Sequence, residues 1–443
     1  MNRYTLLLIA LLCFNNVKSQ PVKHVIIVSI DGFRPDFYKD PSYGAVNLQQ
    51  MAKNGVQANG VNSIFPTLTF PNHTAIITGV TSAKHGIYFN APFEAGESSD
   101  AWYWYFKDIK SPTLWEAARK SGMKTVSVNW PVSAGAPIDY NIPIIKMKGQ
   151  TELKVMGDYA TPAGLLDDVQ RNATGTLDTI NFNTEANFLV MDENVARISA
   201  YLFRKYKPAL TTLRLSCVDH FEHIEGREGD LVNRAVAGAD RAVRTMIEAV
   251  ERAGLKDSTA IIVCGDHGFV NIESALSPNI WLSKAGLLDS TKNGTWKAKF
   301  NATGGSAFLM IKDPNDVETV KKAQALLSNL PADKQKLFRV IDRKTLDKMG
   351  ITKDIPLALA ATPGVRFSGA VKGKETGPGK GGTHGYFPDF KEIQTGFIGY
   401  GAGFGKGVTI PVMSITDIAP NVAHLLGLKF DTADGQVIQA LFK

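Results

Sequence analysis

The sequence predicts an α/β protein: a mostly parallel sheet with helices on both faces, and a smaller α+β insertion. Three observations predict it. Short apolar runs rich in β-branched residues alternate with amphipathic helical stretches. Several of these runs end in an aspartate or a histidine, at the strand ends where open α/β sheets carry their sites. The alternation changes character near Ser274 and resumes after Val371.

Val25–Ile30 reads as a buried parallel strand that delivers Asp31-Gly32 at its C-terminal end. Asn47–Lys53 reads as a helix stopped by Asn54-Gly55. Phe65–Gly79, FPTLTFPNHTAIITG, is the stretch around which the chain is organised. There an extended approach turns into a helix: Pro71 suits a first turn, Ala75, Ile76 and Ile77 continue it, and Gly79 ends it. The free N–H groups of a helix start bind anions. Thr67 therefore reads either as an N-cap or as a hydroxyl held where a phosphate oxygen would sit.

Further along, Thr113–Lys120 is expected as a helix and Lys124–Val128 as a strand ending at Asn129-Trp130-Pro131. Ala134–Asn187 is polar and reads as an irregular excursion. Glu193–Tyr206 and Val232–Ala253 read as helices. Leu210–Ser216 reads as a strand ending near Asp219, and Thr259–Val263 as one ending at Asp266-His267-Gly268. After Ser274 come the strands Trp296–Phe300, Ala307–Ile311 and Leu337–Ile341 and the helix Val317–Ser328. A glycine-rich loop, Gly373–Gly382, precedes His384, and then strand Gly396–Tyr400 and helix Asp417–Leu426 follow. The expected division is a leader at 1–19, a main domain of 20–273 with 372–443, and an insertion at 274–371.

The 443 residues, 44% hydrophobic and 21% charged, suffice for a large core. Met1–Ser19 reads as a secretory signal, with Arg3, an apolar run Leu6–Phe14 and small residues before Gln20. That run is too short to span a bilayer and no other long apolar stretch follows, so an exported protein without a membrane span is expected. The formal charge of +7 becomes 7 − 2 = +5 once Arg3 and Lys18 leave. Its basic residues are scattered, which argues against a nucleic-acid polymer as partner and allows a small anionic one. Outside the leader only Cys217 and Cys264 remain. So few cysteines fit a bacterial periplasmic protein better than an animal ectodomain, and both read as buried thiols.

Asp31, Asp219 with His223, Asp266 with His267, and His384 all fall near expected strand ends. Mixed Asp/His ligation suits zinc. Six ligands exceed what one open catalytic zinc takes. They suit two ions, with the Thr67 hydroxyl added, of the kind that clamp both oxygens of an in-line phosphoryl displacement. Other divalent ions are the alternative. His220 is a rival ligand beside Asp219, and His73, His85 and His424 read as structural.

Six segments stand out together: VSIDGFRPD at Val28–Asp36, FPTLTFPNHTAIITG at Phe65–Gly79, HGIYFN at His85–Asn90, DHFEH at Asp219–His223, GDHGF at Gly265–Phe269 and GTHGY at Gly382–Tyr386. In this order they resemble the nucleotide pyrophosphatase/phosphodiesterase family of the alkaline phosphatase superfamily. The resemblance implies an alkaline-phosphatase-like fold and Thr67 as the nucleophile of a covalent phospho-threonine. It implies one zinc on Asp31, Thr67, Asp266 and His267 and another on Asp219, His223 and His384. It also implies that Asn90 and the Leu68 N–H bind a phosphate oxygen. The expected substrate is a small phosphodiester or nucleotide. Two departures stand out: Glu222 replaces the family's glycine before the ligand histidine, and Leu68 sits where relatives carry a polar or aromatic residue.

The nearest rival is a phosphomonoesterase on the same fold. It would need cations against the extra charged oxygen, and Asn129–Gly135, NWPVSAG, offers none. Leu68 and Trp130 are instead expected to border room for a second organic group. A sulfatase would need Cys or Ser in a C/S-x-P-x-R context, and a non-catalytic relative would not need the full ligand set.

Overall fold

The structure is a computed structural model, and it describes residues 22–93, 102–178, 188–291, 294–432 and 434–443. The expected leader, 1–19, lies outside them. Eight strands form the main sheet: β1 His24–Ile30, β2 Val56–Ala58, β3 Thr125–Val128, β4 Tyr140–Ile142, β5 Leu210–Leu215, β6 Thr259–Cys264, β7 Phe397–Gly401 and β8 Val408–Ile410. Their spatial order is β8-β2-β7-β6-β1-β5-β3-β4. All neighbours are parallel except β7, which runs antiparallel to β2 and β6.

β1 is buried along its whole length because it lies between β5 and β6 with helices on each face. The helices α1 Thr69–Thr78, α2 Phe188–Tyr206, α3 Cys217–Glu225 and α4 Asp230–Arg252 matter most for the site. Val195, Ala196 and Ile198 of α2 and Val232, Val236 and Val243 of α4 pack against one face of the sheet. Ala75, Ile76 and Ile77 of α1, with Ile418, Val422 and Leu426, cover the other. Gly79 ends α1 at φ +69, the left-handed conformation that a glycine adopts without a Cβ penalty.

Register makes the rim. Ile30 pairs with Leu215, and Ser29 with Cys264, so β1, β5 and β6 end level and deliver Asp31, Ser216 and Gly265-Asp266 side by side. The expected strand towards Asp219 stops at Leu215. Asp219 instead lies in the first turn of α3, and His223 one turn later.

A second, antiparallel sheet takes Ala298–Ala302, Ser306–Ile311, Phe338–Ile341 and Ala358–Ala361. A third is built on Val270–Leu276, which pairs with Gly364–Phe367, Thr376–Pro378 and Gly382–Thr383. The expected 273/274 division falls inside that strand. Ala134–Asn187, expected to be irregular, contains strand β4 and the short helices Glu152–Asp158 and Leu165–Val169. Cys217 and Cys264 are buried and unpaired. Among the described residues no helix is long and apolar enough to cross a membrane.

Candidate active site

The loop before α1 is held by one side chain. Buried Asn72 accepts from Ile64 N–H (2.8 Å) and donates to the carbonyls of Pro66 (3.1 Å) and Leu68 (2.9 Å). These three hydrogen bonds tie the helix to the five residues Ile64–Leu68 that lead into it. Leu68 is the N-cap and Thr69 the first helical residue.

This corrects the expectation for Thr67. Its hydroxyl donates to the Tyr386 carbonyl (3.0 Å), and its own carbonyl accepts from His384 Nδ1 and Gly385 N–H, each at 2.9 Å. Thr67 therefore holds the His384 segment in place. The hydroxyl brought to the acidic and histidine cluster is that of Thr69, whose Oγ1 lies 3.4 Å from His267 Nε2.

Three carboxylates converge here. Asp31 Oδ2 accepts from Arg214 Nε (2.9 Å) and Nη2, while Oδ1 has no hydrogen-bond partner. Asp266 Oδ1 accepts from Gly32 N–H (3.1 Å), while Oδ2 has none. Asp219 Oδ1 is likewise unpartnered. The histidines show a matching pattern. Nδ1 donates to a backbone carbonyl in His384 (Thr67), His223 (Gly382, 3.1 Å) and His267 (Gly268, 3.2 Å). That fixes the tautomer and leaves each Nε2 an acceptor, as metal-ligating histidines require; in His267 it faces the Thr69 hydroxyl.

Separations sort these atoms into two sets. His267 Nε2 lies 3.4 Å from Asp31 Oδ1, 3.2 Å from Asp266 Oδ2 and 3.4 Å from Thr69 Oγ1. Asp219 Oδ1 lies 3.5 Å from His223 Nε2 and 3.7 Å from His384 Nε2. Two ligands at ~2.0–2.2 Å from one tetrahedral ion stand roughly 3.3–3.6 Å apart. The spacing and the unpartnered atoms thus fit metal ligation. Asp219, His223 and His384 form one compact group, and Asp31, Asp219 and His267 another. Asp219 Oδ1 is 4.0 Å from His267 Nε2 and lies between them. His220 belongs to neither group.

The electrostatics point the same way. Burial, then the Asp31 charge, push the Asp219 carboxyl up to about 7 and the Asp266 carboxyl well above its ordinary value. Burial, the largest influence, raises Asp31, but the Arg214 guanidinium, His73 and a hydrogen bond with Asp266 together outweigh it and hold that carboxyl below the usual range. His267 and His384 are held well below the ordinary imidazole value by burial, then by neighbouring histidines, so both are neutral. Three crowded carboxylates beside neutral imidazoles form a site that a divalent cation would relieve.

Other expected residues settle as follows. Asn90 Oδ1 accepts from Phe70 N–H (2.9 Å), which orients its amide and leaves Nδ2 as a donor next to the start of α1. The Leu68 N–H donates to the Pro66 carbonyl (2.8 Å), so it is already taken, which corrects the expectation that it binds substrate. The Leu68 side chain packs with Phe65, Phe89 and Phe308. Trp130 is fully buried, edge-on to His73 at 5.1 Å, and borders no substrate room. Glu222, the residue in place of glycine, is buried against Arg34 Nε at 2.7 Å. A Cβ at Gly32 would fall 2.7 Å from Glu222 Oε2, so the turn after Asp31 needs glycine for space as well as for its φ of +74. Arg214 is a cation that sequence reasoning missed, and a lone charge in the apolar run Leu210–Leu215 was its signal.

Comparison with known proteins places this geometry. The model of the type I phosphodiesterase/nucleotide pyrophosphatase family matches residues 25–387. The bovine (Bos taurus) bis(5'-adenosyl)-triphosphatase ENPP4 is 24% identical over 94% of this chain and 81% of its own length. A venom phosphodiesterase of Crotalus durissus collilineatus is 23% identical over 93% of this chain and only 45% of its own, so the chain spans less than half of that enzyme. Among solved structures, human ectonucleotide pyrophosphatase/phosphodiesterase 5 superposes with a TM-score of 0.68 at 18% identity, covering 94% of this chain and 97% of that one. Its murine counterpart, in an inactive Thr-to-Ala form in complex with AMP, gives a TM-score of 0.66 at 18% identity, with 94% and 97% covered. The fold is thus alkaline-phosphatase-like, and the chain belongs to the type I phosphodiesterase/nucleotide pyrophosphatase family of hydrolases.

Proposed function

We propose that this chain is an exported, metal-dependent nucleotide phosphodiesterase/pyrophosphatase that works through a covalent intermediate on Thr69. The observation that carries the reading is the Thr69 hydroxyl, 3.4 Å from His267 Nε2 at the start of α1. Asp31, Asp266 and His267, with Thr69, would hold one zinc, and Asp219, His223 and His384 the other. Bound divalent ions supply Lewis acidity, which favours the ionised form of a hydroxyl and stabilises developing oxyanions.

Thr69 Oγ releases its proton to solvent and attacks phosphorus, and the bond from phosphorus to the leaving oxygen breaks, with that oxygen keeping the bonding pair. Water then cleaves the threonyl ester and regenerates the hydroxyl. The α1 N-terminus contributes its partial positive charge to the transferred group. Asn90 Nδ2 donates to a non-bridging oxygen, and the Phe70 N–H holds that amide in the donating orientation. His73 steadies the nucleophile's turn: Nδ1 donates to the Thr69 carbonyl (2.9 Å) and Nε2 accepts from Ser29 Oγ (2.9 Å).

A diester is favoured over a monoester. Among the described residues Arg214 is the cation beside the first ligand set, and its guanidinium is occupied by Asp31. A small nucleotide as substrate is supported by the AMP complex of the murine neighbour. Export is supported by the expected leader and by the venom origin of one relative. The test is product-resolved hydrolysis of ATP. AMP and pyrophosphate are expected, and ADP with orthophosphate would favour the monoesterase reading.

A further inference from the structure

We propose that Asp192 is a positioning residue for the second metal group: it caps, from α2, the helix that carries Asp219 and His223. The inference rests on the metal-dependent reading above. Helix α3 begins without a side-chain cap of its own, since Ser216 at the N-cap makes none. The backbone donors there are met from another helix. Asp192 Oδ1 accepts from Ser216 N–H (2.7 Å) and Oδ2 from Cys217 N–H (2.9 Å). Both carboxylate oxygens are used, and the side chain is 2% exposed.

The arrangement acts on the ligands for a geometric reason. Ser216 directly follows β5, and Asp219 lies in the first turn of α3, two residues beyond Cys217. Helix ends fray where their first N–H groups lack partners. Fraying here would move Asp219 first, and His223, one turn on, would lose the neighbour it faces at 3.5 Å. Asn129 reinforces the same corner, with Nδ2 donating to the Arg214 carbonyl (3.0 Å) and Ser216 Oγ (3.3 Å). Asn129 adopts φ +59 to do so, a left-handed conformation that asparagine tolerates better than most residues. The end of β5 is therefore fixed from both sides before the ligand helix starts.

The test is zinc binding by equilibrium dialysis with metal analysis, on wild type, Asp192→Ala and Asp192→Asn. Amide exchange at Ser216 and Cys217 is read on the same proteins. Asp316→Ala, which removes the cap of helix Val317–Ser328, is the control for a purely structural cap. Asp192→Ala is expected to weaken the second zinc by roughly 10–100-fold, the range for residues that orient metal ligands, and to lose protection at both amides. Asp192→Asn, which keeps one acceptor, should fall between. Asp316→Ala should lower the melting temperature and leave zinc affinity unchanged. Wild-type zinc affinity in folded Asp192→Ala would overturn the inference, and if that variant fails to fold, Asp192→Asn decides by the same criterion. Wild type that binds no zinc would instead overturn the metal reading itself.

Discussion

The Thr69 hydroxyl lies 3.4 Å from His267 Nε2, whereas the Thr67 hydroxyl donates to the Tyr386 carbonyl. Two threonines flank Leu68, and the helix begins between them. One is therefore aimed into the ligand cluster and the other into the scaffold that carries His384.

The Asn90 amide is held by Phe70 N–H through Oδ1, so its catalytic contribution should come from Nδ2 alone. Asn90→Ala and Asn90→Asp should each lose about 10²–10³ in kcat on an activated nucleotide diester. Asp keeps the acceptor for Phe70 but offers no donor, and its charge opposes a phosphate. Zinc content should not change. An Asn90→Asp enzyme with wild-type kcat would remove Nδ2 from the mechanism.

Asp219, His223 and His384 group at one ion's spacing. Replacing His384 or His223 by Ala should lower bound zinc from about two per chain towards one. Chelation of wild type should also lower its melting temperature, because Asp31, Asp219 and Asp266 then face one another without a cation. Metal analysis and thermal scans check both. His384→Ala with undiminished zinc would dissolve the second group.

Glu222 supplies the pH prediction. Burial pushes its carboxyl up to about 8, more than Arg34 and Arg227 pull it down. The folded value lies above the unfolded one. Its contribution to stability is therefore complete below about 4.5 and is lost as pH rises through about 8. Metal-free wild type should lose melting temperature between these values relative to Glu222→Gln, which has no charge to bury. Parallel pH profiles for the two proteins would contradict this.

Much of the fold was legible because the sheet is buried on both faces. Val25–Ile30 and Thr259–Val263 could only be central parallel strands, and their ends had to open onto a common rim. The helix from the Pro71 turn to Gly79 was legible for equally local reasons. Asp219 was expected near a strand end rather than in the first turn of a helix, because the contact that starts α3 comes from Asp192, 24 and 25 residues away from its two partners in sequence. Thr67 and Thr69 could not be separated by pattern either. Two hydroxyls around one leucine share every local signal except the identity of the helix's first residue, and that is settled by Asn72 gripping the loop. Ala134–Asn187 was opaque because its short helices are ordered by packing against the sheet rather than by their own periodicity.

The central claim is that Thr69, and not Thr67, carries the reaction. The most direct measurement is kcat/KM of Thr69→Ala and Thr67→Ala on p-nitrophenyl thymidine monophosphate, with zinc content and melting temperature measured on each protein. Thr69→Ala should remain folded and lose at least ~10³-fold in kcat/KM, since the nucleophile itself is gone. Thr67→Ala should lower the melting temperature, because its hydroxyl bonds the Tyr386 carbonyl, and should keep kcat/KM within about tenfold of wild type. A Thr69→Ala enzyme near wild-type activity, beside an inactive but folded and zinc-loaded Thr67→Ala, would contradict the account.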